Sequence, residues 1–302
     1  MLMRAVWGLA AWGWLVSVGA AGAESIPDFP VAQLPAPSTS PLPLLQARPL
    51  PVPGGVAVIA LASTASQAPE LRYQGERVLV LLESTVNGSQ WVALVGLPLD
   101  TKPGIQQIQD RNTAAVYQFE VRPKRYERQD IQLKNKRQVN PNPQDLARIQ
   151  QETQRIQAAL AQPWRDINGA QLLPLRYPVQ GRKSSPFGLQ RYFNNEARKP
   201  HSGLDLAAPQ GTPVLAPAPG VVVEVGDYFF NGSTVFIDHG QGLLTMYCHL
   251  SEITVKPGQR LNAGEILGRV GMSGRATGPH LHWGVRLNNT WVDPDWLLEK
   301  SV

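Results

Sequence analysis

The stretch His280-Leu281-His282-Trp283-Gly284-Val285-Arg286-Leu287 decides how this chain is read. Leu281, Trp283, Val285 and Leu287 alternate with His280, His282, Gly284 and Arg286, the period of a β-strand with one apolar face. Both imidazoles then project from the opposite face into one space, and Gly284 leaves room beside them. The same alternation in Leu244-Thr245-Met246-Tyr247-Cys248-His249-Leu250 places Leu244, Met246, Cys248 and Leu250 on a buried face. His249 then falls on the other face with Tyr247 and Thr245. Two strands that each offer histidine away from a core line a groove.

Working outward, all five histidines of this 302-residue chain lie between positions 201 and 282. Imidazole is a common zinc ligand and moves protons near neutral pH. In His201-Ser202-Gly203-Leu204-Asp205, a loop leading into a strand, histidine and carboxylate reach one ion if the chain turns tightly, and Gly203 permits that turn. Two histidines, one carboxylate and one open position form a known catalytic zinc composition, and further histidines beside it suit proton transfer and oxyanion contacts. Each pattern is weak alone; their ordered co-occurrence is strong. His239, beside a glycine turn, reads as structural, and Cys248 reads as a packed small hydrophobe. Tyr192 and Phe193 either edge the groove or pin their loop.

The rest of the chain frames this region. Arg4, the apolar run from Ala5 to Ala20 and Ala21-Gly22-Ala23 have the form of a signal peptide (residues 1–23) with cleavage expected after Ala23. The run is short for a membrane span, and no cysteine is available for a lipid anchor there. Residues 24–53 are proline-dense and read as an extended tether. Residues 54–141 carry strand patterns at Val56–Leu61, Arg77–Leu82, Trp91–Val95, Ala115–Val121 and Asp130–Leu133, with turn chemistry at Asn87-Gly88. This small β domain contains no histidine. A helix is expected over 142–162, starting at Pro143, with Leu146, Ile149, Ile156 and Leu160 as its packing stripe and Pro163 as its stop. A linker (163–180) and an all-β region (181–302) complete a mainly β protein. The single cysteine excludes an intramolecular disulfide, and the net charge of +5 is mild. The densest basic stretch, Arg122 to Arg137, reads first as a solvated face and second as a surface for an anionic polymer. No nucleic-acid-reading motif is present.

Pro186-Phe187-Gly188, His201-Ser202-Gly203-Leu204-Asp205-Leu206-Ala207-Ala208-Pro209, Thr245-Met246-Tyr247-Cys248-His249-Leu250 and Thr277-Gly278-Pro279-His280-Leu281-His282-Trp283 together resemble the M23 zinc metallopeptidases, the lysostaphin-type peptidoglycan hydrolases. The resemblance covers roughly Gly181 to Asp295. It implies an antiparallel β-sheet peptidase domain with Zn2+ held by His201, Asp205 and His282, and with His249 and His280 as catalytic residues acting on water and the scissile carbonyl. The absence of an HExxH pattern leaves no glutamate base in view, so either histidine serves as base. The half-motifs Ala216-Pro217-Ala218-Pro219-Gly220 and Gly264-Glu265-Ile266-Leu267-Gly268 are similar to those of biotinyl carrier domains, but no lysine lies on the hairpin between them.

The resulting expectation is an exported zinc endopeptidase, periplasmic or secreted, that hydrolyses peptide cross-links of peptidoglycan, with D,D-bonds to diaminopimelate the expected target in a Gram-negative source. A carboxypeptidase trimming terminal D-alanine is the alternative within the enzyme class. The alternative of another class is a non-catalytic scaffold that binds cell wall or activates an amidase, against which the intact ligand set argues. The expected partners are peptidoglycan and a regulatory protein, with no nucleic acid and no membrane span after signal cleavage. The β domain and tether are expected to restrain or position the peptidase.

Overall fold

Alternating apolar residues and closely spaced turns build most of the protein from strands. The computed structural model describes residues 51–62, 66–85, 88–133, 135–166 and 172–299. Its first half contributes β1 (Val56–Ala60), β2 (Leu71–Tyr73), β3 (Glu76–Arg77), β4 (Leu79–Thr85), β5 (Gly88–Gly96), β6 (Gly104–Asp110), β7 (Val116–Val121) and β8 (Arg128–Ile131). The helix α1 (Pro143–Leu160) follows. Then come β9 (Arg182–Ser185), β10 (Gln190–Phe193), β11 (Glu196–Ala197), β12 (Leu204–Ala207), β13 (Pro213–Leu215), β14 (Gly220–Tyr228) and β15 (Gly232–Gly240). The chain closes with β16 (Leu243–Ile253), β17 (Arg260–Leu261), β18 (Ile266–Val270), β19 (His280–Leu287) and β20 (Thr290–Val292). The signal segment, the tether up to residue 50 and Asn87 of the expected turn lie outside the described residues. Among the described residues no helix is long and apolar enough to cross a membrane.

The large sheet has ten strands, with β17-β14-β15-β16-β19-β12-β9 in order and β13, β18 and β20 at its margins. One face of it packs on the three-stranded sheet β1-β5-β4. Val56, Leu79, Leu81, Val92 and Leu94 share a single apolar core with Leu204, Leu206, Ile237, Tyr247, Leu281, Trp283 and Val285. The opposite face of the small sheet, with Ala57, Val78, Val80, Ala93 and Val95, packs on the four-stranded sheet β3-β2-β6-β7. Asn288 stitches the two halves together: its Oδ1 accepts from Gly96 N at 2.6 Å and its Nδ2 donates to Gly96 O at 3.0 Å. The β domain therefore covers a core face of the C-terminal half instead of standing apart from it.

That shared core carries a stability prediction. A chain beginning at Gly181 would expose one side of Leu204, Leu281 and Val285. Each apolar side chain returned to water costs about 1.5–3 kcal/mol, against a typical total of about 5–15 kcal/mol. The fragment is expected to be insoluble, or to melt at least about 10 °C below the full chain. Equal melting temperatures by calorimetry would contradict the shared core.

Several sequence expectations need correction. Pro51–Pro53 belong to the fold and not to a free tether: Val52 is buried, Arg122 N donates to Pro51 O at 2.8 Å, and Tyr126 OH donates to Pro53 O at 2.7 Å. Strand β8, expected within the β domain, instead pairs in parallel with β10 of the C-terminal half, Gln129 opposite Arg191. Strands β2 and β6 were not expected; β6 (GIQQIQD) is polar along most of its length and gives little alternation to read.

Helix α1 begins as its sequence dictates, with Asn142 and Asp145 forming a reciprocal capping box and Pro143 in the first turn. It ends at Leu160, before Pro163. Its buried residues are Asp145, Glu152 and Ala159, and not the expected stripe. Glu152 is drawn inward because its carboxylate accepts from Phe229 N at 2.8 Å, and Arg155 pairs with Glu224 of β14. Leu146 stays exposed, while Ile149, Ile156 and Leu160 line the groove above the large sheet.

Candidate metal centre

The site forms where two adjacent strands bring paired residues onto one face. In the β12–β19 ladder Asp205 lies opposite His282, and Leu204 lies opposite Trp283. Antiparallel pairing thus closes a 77-residue separation and turns both polar side chains away from the core that takes Leu204 and Trp283. His201 enters from the preceding loop. Its Nδ1 is 2.7 Å from Pro186 O, which can only accept, so Nδ1 carries the hydrogen and the Nε2 lone pair faces inward.

His201 Nε2, Asp205 Oδ1 and His282 Nδ1 form a triangle with edges of 2.9, 2.9 and 2.8 Å. All three residues are buried. Burial alone would raise the Asp205 pKa, but the imidazoles beside it outweigh that and hold the carboxyl well below its usual range. Burial pulls His201 down to about 4 against the opposing effect of Asp205, so its imidazole is neutral at pH 7. A bare imidazole nitrogen set against a carboxylate oxygen in a dry site needs a positive charge between them. A divalent cation satisfies all three atoms at once, and two nitrogens with one oxygen suit zinc with a position left open. The donor set therefore fits zinc.

Arg191 completes the carboxylate's environment. Its Nη2 donates to Asp205 Oδ2 at 2.7 Å, which leaves Oδ1 as the oxygen turned to the triangle. The guanidinium is itself braced by Gln129 Oε1 at 3.2 Å and Ser185 Oγ at 3.1 Å. Such outer partners orient a ligand and tune its basicity. Sequence reasoning missed Arg191, because nothing local marks its pairing with Asp205. Gly203 was expected to serve a tight turn. It is needed for space: a Cβ there would stand 2.5 Å from Trp283 O and 2.8 Å from His282 Cε1. Gly203→Ala is expected to displace the His282 ring and weaken zinc binding by about tenfold to hundredfold, the range of outer-shell perturbations. Chelator competition reads this, and unchanged affinity would contradict the steric argument.

The other two histidines stand against the triangle. His249 and His280 have ring centroids 4.7 Å apart, and His280 Nε2 is 4.0 Å from Asp205 Oδ1. His249 Nδ1 lies 2.8 Å from Ser273 O, and His280 Nδ1 lies 2.8 Å from Gly278 O. Backbone carbonyls thus claim both Nδ1 hydrogens and leave both Nε2 atoms open to the groove. Burial, reinforced by His280 and His282, pulls His249 down to about 3, so it is neutral at pH 7.

His249 reaches the groove by a route the alternation did not foresee. In the β16–β19 register Met246 faces Gly284, Tyr247 faces Trp283 and Cys248 faces His282. Tyr247 is therefore on the core side with Trp283, and Met246 and Cys248 are on the groove side beneath α1, the reverse of the expected assignment. His249 crosses over because its φ is +63°, a left-handed conformation that turns its side chain out of the strand's alternation. Thr245 also faces the core, where its hydroxyl lies 2.8 Å from His239 Nε2 and 2.8 Å from Tyr247 OH. His239 is fully occupied by that contact and by Pro219 O at 2.8 Å, a structural position. Cys248 is buried, its thiol pushed up to about 12 by that burial, and is inert. Phe193 lines the groove, whereas Tyr192 is stacked under Arg128.

The five residues share one groove of about 770 Å³, lined also by Ile149, Ile156 and Leu160 of α1 and by Arg198 and Arg275. Three of the basic residues before the helix are paired, Arg128 with Asp130, Arg137 with Asp145 and Lys124 with Asp293.

Fold and site together define a class: a β-sheet protein with a two-histidine, one-carboxylate metal centre. The models for peptidase family M23 and for the M23 N-terminal domain match residues 199–294 and 50–124. The crystal structure of an M23-type chain from Pseudomonas aeruginosa is 43% identical, covers 85% of this chain and 98% of its own, and superposes with a TM-score of 0.69. The chain belongs to the M23 peptidase family. DD-carboxypeptidase/endopeptidase Mpg of Neisseria meningitidis is 43% identical over 42% of this chain, and peptidoglycan DD-endopeptidase ShyA of Vibrio cholerae is 45% identical over 36%. The matches span 28% and 26% of those relatives' own lengths.

Proposed function

We propose that this chain is a zinc-dependent endopeptidase that hydrolyses peptide cross-links of peptidoglycan in the cell envelope. The observation that carries the reading is the convergence of three inward-facing ligand atoms with two imidazoles whose Nε2 atoms are free, all in one groove. His201, Asp205 and His282 would hold the metal. When bound, zinc supplies Lewis acidity, polarising an amide carbonyl and lowering the pKa of water toward neutrality.

The chain's own residues do the rest. Either His249 or His280 accepts a proton at Nε2 and returns it to the leaving amine, while the other, held by its own backbone carbonyl, stabilises charge on the carbonyl oxygen only in its form protonated at Nε2. The N–H···O=C contacts to Ser273 and Gly278 leave an Nε2 lone pair on both rings, the form a proton acceptor needs. Arg191 holds Asp205 Oδ2 and keeps the carboxylate aligned. The expected signal segment supports a periplasmic or secreted location. Gln129 of β8 braces Arg191, and a regulatory partner acting on the segment before the helix would reach the site through that contact.

Sacculi incubated with the purified full chain should release soluble fragments, stop doing so with a zinc chelator, and resume on adding zinc. Product masses should show separated stem peptides and not release of terminal D-alanine. Intact sacculi in the presence of zinc would rule the proposal out.

A further inference from the structure

Three arginines approach the groove, and two have carboxylate partners: Arg191 binds Asp205 at 2.7 Å, and Arg198 binds Glu196 at 2.6 Å. Arg275 has none among the described residues. Its guanidinium is held between two rings, 4.5 Å from the Phe193 centroid and 4.2 Å from that of Phe230. Its one side-chain hydrogen bond runs from Nη1 to Gln138 O at 3.3 Å. The loop beneath is fixed as well: Arg275 N donates to Phe230 O at 2.8 Å and Gln138 Nε2 donates to Gly274 O at 2.9 Å. Four of five N–H donors remain on a planar group whose orientation is already set.

A half-buried cation without a counter-charge is costly unless a ligand completes it. Burial, with repulsion from Arg191 and Arg198, already pulls the Arg275 pKa down to about 10. We propose that Arg275 is the specificity residue of the groove, reading a free carboxylate on the substrate peptide next to the cleaved amide. The inference rests on the peptidase reading above and names the substrate class within it. In a D,D-cross-link to diaminopimelate the leaving amine sits on a carbon that also bears a carboxylate. A cross-link through the side chain of lysine has no carboxylate there. Arg275 would therefore select acidic cross-links over neutral ones, by the fork geometry that binds carboxylates bidentately.

The test compares two probes on the zinc-loaded full chain: the stem tetrapeptide with its diaminopimelate carboxylate free, and the same peptide amidated there. Neither holds a cross-link, so binding by calorimetry needs no turnover. The acid is expected to bind about tenfold to hundredfold more tightly than the amide, the worth of a charge-assisted hydrogen bond. R275Q should bind acid and amide alike, with zinc stoichiometry unchanged, and R275K should keep part of the preference. Equal binding of acid and amide by the native protein would overturn the proposal without any variant, as would an R275Q protein that keeps the preference. A chain that discriminates acid from amide yet releases nothing from sacculi would refute the peptidase reading alone. One that cleaves acid and amide cross-links equally would refute this inference alone.

Discussion

Replacing His282 with alanine is expected to abolish zinc binding and sacculus digestion together. His282 Nδ1 is one corner of a triangle whose edges are all under 3 Å, and its loss leaves one nitrogen and one carboxylate oxygen. Two ligands do not hold a catalytic zinc in competition with ordinary chelators. The affinity should fall by more than about a hundredfold, beyond what outer partners such as Arg191 contribute. The fold should survive, because Leu281 and Trp283 on the other face of β19 keep the core. Metal analysis and circular dichroism on the same sample separate the two effects. A variant that retains one zinc per chain and still digests sacculi would remove the basis for the assigned ligand set.

The second large effect concerns turnover without metal loss. His249→Asn and His280→Ala are each expected to keep zinc and lower kcat by about 10²–10⁴, the usual contribution of a positioned acid–base group. Asparagine is the appropriate replacement at 249 because it tolerates the left-handed conformation found there, whereas a β-branched residue would add backbone strain. The double variant should fall little further than the worse single one if the two rings act on the same proton path. Additive losses would instead assign them to independent steps. Loss of zinc in either single variant would move that residue from catalysis into the metal shell.

Much of this was readable from residue order. The strand period at 280–287 placed two histidines opposite an apolar face, and the structure buries Leu281, Trp283, Val285 and Leu287 completely. Pro143 marked where α1 starts. The same period at 244–250 marked Leu244, Met246, Cys248 and Leu250, which are buried, but not that Thr245 and Tyr247 are buried too, nor that His249 leaves the alternation through a left-handed φ. The stripe on α1 was half informative: Ile156 and Leu160 pack against the cluster of Ala159, Tyr228, Phe236, Met246 and Cys248, while Leu146 is exposed. Its apolar residues face a groove, and the helix is anchored through Glu152 and Arg155, whose partners lie 69 and more residues away. Arg191, Gln129 and the carbonyls of Pro186, Ser273 and Gly278 were illegible because backbone acceptors and long-range ion pairs leave no pattern in a single chain.

By itself the sequence determined which residue types carry the chemistry and that they ride on strands, since period and ligand chemistry are local properties. Only the tertiary structure decided which imidazole nitrogens are free, which carboxylate oxygen faces the metal position and which arginine is left without a counter-charge. Those depend on neighbours brought together by strand pairing across tens of residues, and hydrogen-bond geometry exists only once that pairing has formed.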